Sequence, residues 1–185
     1  AVASKHSWSD LIKTDDVLID MSNFDYVEIQ ENGDHTRVVV GAGCKVQKLL
    51  KDLNRKGFTL PSVGLIDQQT IAGATATGTH GSGKHSLSHY IESVRLACFD
   101  QKGDSAQIVD ISDGVDLQAA RCSLGALGVI VEITLPVVPQ YYVQEKATFC
   151  ATIEDVLILE KSAPLQQFFL VPHSWNFLAQ ERLVA

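Results

Sequence analysis

The chain has 185 residues, 45% apolar and 20% charged, with 22 acidic against 15 basic residues and a formal net charge of −7. That composition describes an ordinary folded protein with room for one substantial domain, or one domain and part of another, rather than a disordered chain. The acidic balance, with no Lys- or Arg-rich stripe, argues against a nucleic-acid partner.

The opening "AVASKHSWSD" lacks Met and enters as if a strand were already running, so the chain is expected to be a piece of a longer protein. Within it, "ASKHSWS" gathers small residues, a cation, a histidine and hydroxyls into a polar loop, with a cap for a helix at "DLI" as the plain alternative. "DVLIDMSNFDYVEIQENGDH" predicts two short strands and an Asn32–Gly33 turn that makes a hairpin with "TRVVV". Val46, Leu49, Leu50 and Leu53 then form one apolar helix face, which Gly57 ends.

After Pro61 the pattern loses its period until Gly83, a loop of more than 20 residues. Loops of that length in compact domains are usually functional or disordered, and Ile66, Ile71, Ala72, Ala74 and Ala76 argue for a packed one. A short helix in "SLSHY" precedes the strand Ser93–Phe99, a turn at Lys102-Gly103-Asp104 and the strand "SAQIVDIS". "GVDLQAARCSLG" reads as a helix and "ALGVIVEITLPVVPQYYVQEK" as one or two long strands. "TIEDVLILEKSA" has helical spacing, and "LQQFFLVPHSW" with "NFLAQERLVA" forms a hairpin. The architecture is α+β, with a boundary between Pro139 and Lys146.

Cys44, Cys98, Cys122 and Cys150 make no C-x-x-C pair and read as reduced core thiols of a reducing compartment, such as the cytoplasm. No signal-peptide pattern is visible. The best membrane candidate, "GVIVEITLPVV", is broken by Glu132 and Pro136 and falls short of the ~20 residues that span a bilayer.

Four chemistries compete for the polar segments. "VVVGAGCKV" imitates a dinucleotide fingerprint, yet Val46 stands at the third glycine and no acid follows in "FTLPS", so a tight turn before the helix is the better reading. His80, His85 and His89, with Glu92, offer metal-like spacing but lack the glutamate of H-E-x-x-H, and no metal is assigned. Around Ser82 the Gly-x-Ser-x-Gly nucleophile pattern fails, because His80 and Lys84 replace the glycines. Phosphate binding fits "TGTHGSG" best. Glycine-rich backbone offers converging N–H donors, and hydroxyls of Thr75, Thr77, Thr79 and Ser82 stand near, although Gly83-Lys84-His85 is no P-loop.

Taken in order, "VASKHSWSD", "VVVGAG", "TLPSVGLIDQQTIAGATATGTHGSG" and "GALGVIVEITL" resemble the flavin domain of the vanillyl-alcohol oxidase family. The branch is that of sugar-lactone and alditol oxidases, with gulonolactone, arabinonolactone and xylitol oxidases. The resemblance implies a PCMH-type FAD-binding domain over residues 1–140, lacking its N-terminal strand and helix, and the opening of a substrate (cap) domain over 141–185. It implies FAD contacts from Ala3, Ser4, Lys5, His6 and Ser7, with His6 covalently attached to the flavin. Thr70, Gly73, Ala74, Thr77, Gly78, His80, Gly81 and Ser82 would line the cofactor's other side, and Gly128, Val129 and Ile130 would close near its adenine. The implied activity is oxidation of a CH–OH group in a sugar lactone or polyol by hydride transfer to flavin N5, with oxygen as acceptor. The catalytic base would lie in the rest of the substrate domain, and any membrane association in parts outside this chain. A dehydrogenase of the same family with another acceptor is one alternative. A shortened, non-catalytic protein that binds nucleotide or a partner is the other.

Overall fold

The computed structural model describes residues 1–33, 35–82, 84–163 and 165–185, so Gly83 of the "TGTHGSG" motif lies outside the described residues. The chain forms two compact units: Ala1–His80 with His85–Pro139, and Gly81–Lys84 with Gln140–Ala185.

In the first unit, β1 (Val27–Asn32) and β2 (His35–Gly41) form the expected hairpin, and α1 (Val46–Asn54) buries Val46, Leu49 and Leu53. A two-residue strand β3 (Phe58–Thr59) and the short helix α2 (Ile71–Ala76) follow. Next come β4 (Ser93–Phe99), β5 (Ala106–Ile111), α3 (Gly114–Arg121), β6 (Val129–Pro136) and β7 (Val138–Pro139). Five strands make one sheet in the order β1-β2-β6-β4-β5, every neighbour antiparallel. No βαβ crossover builds this sheet, so the turn reading of "GAGC" stands over a dinucleotide fold.

Alternation divides the sheet into two faces. Val38, Val40, Ile133, Leu135, Val94 and Leu96 are all buried and pack with the α1 leucines, Ile71, Leu87 and Ile91 into the core. The other face carries charge. Register places Arg95 opposite both Glu132 and Asp110, and its guanidinium lies 3.2 Å and 2.7 Å from their carboxylates. Tyr26 donates to Glu132 at 2.5 Å. Partial burial, then the hydrogen bond and charge of Glu132, push the Tyr26 phenol up to about 12.

Three expectations change. The first of the two strands expected before the hairpin is absent, and between residues 16 and 22 only Asp20 bridges Val2. Local caps compete with pairing there: Val17 N–H donates to its neighbour Asp16 at 2.9 Å, and Ser22 N–H to Asp20 at 2.8 Å. Helix α2 interrupts the long loop, whose sequence carries no period. Six residues are too few to show a period, and the helix is fixed by tertiary bonds from Ile71 N–H to the Cys44 carbonyl and from Ala72 N–H to Ala42. Finally, the long strand after Ala126 is three pieces, β6, β7 and a further strand, interrupted near the prolines Pro136 and Pro139.

The second unit contains β8 (Val143–Cys150), α4 (Ile153–Glu160), β9 (Leu165–Val171) and β10 (Asn176–Val184). Its sheet runs β8-β10-β9, and α4 packs on it through Val156 against Cys150 and Ala179. Thr152 and Asp155 form a capping box that starts α4. All four cysteines are unpaired, but only Cys44 and Cys150 are buried; Cys98 is half-buried and Cys122 exposed, against the core placement expected for all. Burial pushes the Cys44 thiol up to about 11. Among the described residues no helix is long and apolar enough to cross a membrane.

A Cβ at Gly43 would stand 1.8 Å from the Met21 carbonyl oxygen. Gly43→Ala is therefore expected to destabilise the first unit by about 2 kcal/mol or more, read as a lower urea midpoint at unchanged slope. The raised phenol gives a second expectation, with its sign set by linkage. The Tyr26 contribution to stability is complete below pH ~10 and is lost as pH rises toward 12. Ultraviolet titration should show one late-ionising phenol, absent in Tyr26→Phe.

Candidate functional site

The N-terminal loop hangs from a single bridge. Val2 N–H donates to Ile19 at 2.8 Å, and Met21 N–H donates back to Val2 at 2.8 Å. From there the chain turns through Lys5, whose φ of 55° is rare for a residue with a side chain. Among the described residues, no acceptor meets the N–H groups of Ala3, Ser4, Lys5, His6 or Ser7. Five consecutive donors are left without a partner among the described residues.

These residues form one wall of a cleft of about 630 Å³, a size typical of small-molecule sites. The Ser4 hydroxyl joins that wall to the next by accepting from Thr70 N–H at 3.0 Å. Thr70 is 7% exposed and lines the cleft, and its own hydroxyl has no partner among the described residues. Gly73 lies beyond it on α2, where an added Cβ would meet nothing nearer than the Thr70 hydroxyl at 3.1 Å. Thr77 closes that wall, and Gly128, Val129 and Ile130, at the start of β6, form the third. Gly128 has φ +143° and sits so close to β4 that a Cβ would lie 2.7 Å from the Ala97 carbonyl oxygen. Lys5 is the one Lys or Arg among the described residues that line the cleft.

The structure thus brings together Ala3, Ser4, Lys5, His6, Ser7, Thr70, Gly73, Thr77, Gly128, Val129 and Ile130. The others fall elsewhere. Ala74 is 1% exposed and belongs to the core, because it points from α2 away from the cleft. Gly78 takes φ +67° beside Cys122, and His80 is an exposed residue outside the lining. Gly81 and Ser82 group with the second unit.

The hydroxyls near the motif are also committed differently from expectation. Thr75 is fully buried and donates to Ile71 at 2.9 Å, while Thr77 donates to Gly73 at 3.0 Å. Threonines inside a helix often satisfy themselves on the preceding turn. Thr79 accepts from Gln69 at 3.4 Å. In the histidine cluster, His85 and His89 stack with ring centroids 4.1 Å apart, and Glu92 reaches His35 at 3.0 Å. No group of three metal-ligating side chains occurs among the described residues.

Sequence reasoning missed Trp8, Met21, Ala72, Ala76, Leu124 and Gly125, which also line the cleft. Ala72, Gly73 and Ala76 were the available signal, since small residues at i, i+1 and i+4 leave one helix face thin.

The model of a family described as "FAD binding domain" matches residues 1–127. The chain belongs to that family. As an FAD-binding domain of the PCMH type it has the expected fold, and FAD is the cofactor that fold serves. A long-chain alcohol oxidase of an uncultured marine euryarchaeote is 50% identical over 182 residues, covering 98% of this chain and 38% of its own. An L-gulono-1,4-lactone dehydrogenase of Mycobacterium tuberculosis is 35% identical over 179 residues, covering 94% and 40%. The chain therefore spans about 40% of the length of these relatives. A solved cholesterol oxidase of Brevibacterium sterolicum superposes with a TM-score of 0.82 at 13% identity, over 100% of this chain and 40% of that one, a likeness of fold alone.

The residues of this FAD-binding domain fit their cofactor. Unpaired N–H groups suit a diphosphate, and Gly73 leaves backbone open to it. Gly73→Leu should fill the cleft while leaving the core intact. The unfolding free energy is expected to hold within about 0.5 kcal/mol, while the flavin recovered per protein molecule falls sharply.

Proposed function

We propose that this chain holds FAD for an oxidoreductase that oxidises the CH–OH group of an alcohol, with oxygen as acceptor. The observation that carries the reading is the row of five unpartnered N–H groups, Ala3 to Ser7, along a cleft in a domain of the FAD-binding family. When bound, the flavin supplies a hydride acceptor at N5.

The chain's own part is to bind and orient. Main-chain donors of Ala3, Ser4 and Lys5 take the diphosphate oxygens, with the Lys5 charge beside them. The Thr70 hydroxyl and the open backbone at Gly73 serve the same group from α2. Gly128, Val129 and Ile130 close near the adenine. His6, exposed on the cleft wall, is the point of covalent attachment and pins the ring system. Gly78, His80, Gly81 and Ser82 remain proposed as cofactor neighbours on the basis of the resemblance. The base that accepts the hydroxyl proton belongs to the remainder of the protein, for which residues 141–185 begin the substrate domain.

Two substrate classes follow from different observations. A sugar lactone or alditol is supported by the motif series and by the lactone dehydrogenase relative. A long-chain alcohol is supported by the 50% identical relative named for that substrate. The dehydrogenase name of the first relative also makes an acceptor other than oxygen the second reading for the electrons.

The purified whole protein should be yellow, with absorbance at about 450 nm that stays with the precipitate in acid. In His6→Ala the colour should instead move to the supernatant. Flavin released from the unaltered protein would remove the covalent link, and a colourless protein would remove the FAD reading. Hydrogen peroxide release, measured with a sugar lactone, an alditol and a long-chain alcohol in parallel, decides the substrate class.

A further inference from the structure

The turn before β6 contains a residue in an unfavourable place. Ala126 N–H donates to the Ser123 carbonyl at 2.9 Å, closing a four-residue turn around Leu124 and Gly125. Their φ values are +52° and +77°, the signature of a type I′ turn. Gly, Asn and Asp suit the first of those positions; a leucine there is strained.

Packing does not explain the leucine, because Leu124 is 63% exposed. It lines the FAD cleft instead. The turn is fastened to the far end of α2, with Leu124 N–H donating to the Ala76 carbonyl at 3.1 Å and the Cys122 thiol reaching the same oxygen at 3.5 Å. At its near end α2 meets the first loop through the Ser4–Thr70 bond. The six residues of α2 separate those two fastenings by about 9 Å, room for the ribose between a diphosphate and its base.

We propose that Leu124 is the apolar wall on which the adenine of bound FAD packs. This rests on the proposed reading, in which His6 marks the flavin end and Gly128–Ile130, a few residues after the turn, mark the adenine end. The strained backbone is kept because it presents four carbons to the cleft, where asparagine or glycine would serve the turn but not the base.

The test uses the whole protein in a His6→Ala background, so that flavin binds reversibly, and measures FAD and FMN affinity together with the melting temperature of the apoprotein. Leu124→Asn should weaken FAD roughly tenfold, the order expected from uncovering one leucine. It should leave FMN, which lacks adenine, unchanged, and the apoprotein as stable as its parent or more so. Leu124→Met should retain FAD affinity. Unchanged FAD affinity in Leu124→Asn overturns the proposal, as does an equal loss for FAD and FMN. A lower melting temperature with FAD affinity intact makes the residue structural and overturns it as well. A parent protein that binds no FAD at all would sink the cofactor reading and this proposal together.

Discussion

The fold turns on close backbone approach at Gly41–Cys44. Gly41 and Gly43 donate to the carbonyls of Tyr26 and Phe24, while Ala42 donates to Val131 of β6. The carbonyls of Ala42 and Cys44 in turn receive Ala72 and Ile71 of α2. No side chain could occupy either glycine, since a Cβ would stand 2.4 Å from the Phe24 oxygen at Gly41 and closer still to Met21 at Gly43. One four-residue turn thereby fixes the sheet, the segment that carries the N-terminal loop, and the helix that floors the cleft. All three cleft walls are referred to the same few peptide groups.

An acidic chain proposed to hold a diphosphate needs some way round its own charge. Here the donors facing the cleft are mainly neutral peptide N–H groups, with Lys5 the one strong cation among the described lining residues. No Asp or Glu is among the described residues that line the cleft. Glu132 and Asp110 are tied to Arg95 on the opposite face of the sheet, and Arg95 holds the Asp110 carboxyl below its usual range. Peptide dipoles cannot be titrated or screened away as readily as side-chain charges, so recognition of this kind depends on the shape of the backbone.

Much of this was legible in the sequence where a period or a turn had room to repeat. The four leucine and valine positions of α1, the Asn32–Gly33 hairpin, α3, α4 and the β9–β10 hairpin all carry such signals. The first loop and the glycine motif stood out by composition, and the family they suggested is the one the chain belongs to. What stayed hidden depends on partners distant in sequence. Helix α2 exists because Ala42 and Cys44 offer carbonyls to its first turn, and nothing within "TIAGATA" announces them. Ala74 and Thr75 sit in the same motif as Gly73, yet rotation about the helix axis turns them into the core. The segment around residues 16–22 looked like a strand by its apolar run, but its aspartates satisfy their neighbours' N–H groups first.

Helix α2 shows how a binding surface can be specified by atoms that are missing. Ala72, Gly73 and Ala76 line the cleft with almost no side chain, while Ile71 and Ala74 on the other side fill the core. Substitutions on the two sides of this one helix should therefore be filtered in opposite directions. The inner face cannot lose volume, and the outer face cannot gain it. The sequence there is constrained as tightly as a packed interior, although much of the surface concerned is open to solvent.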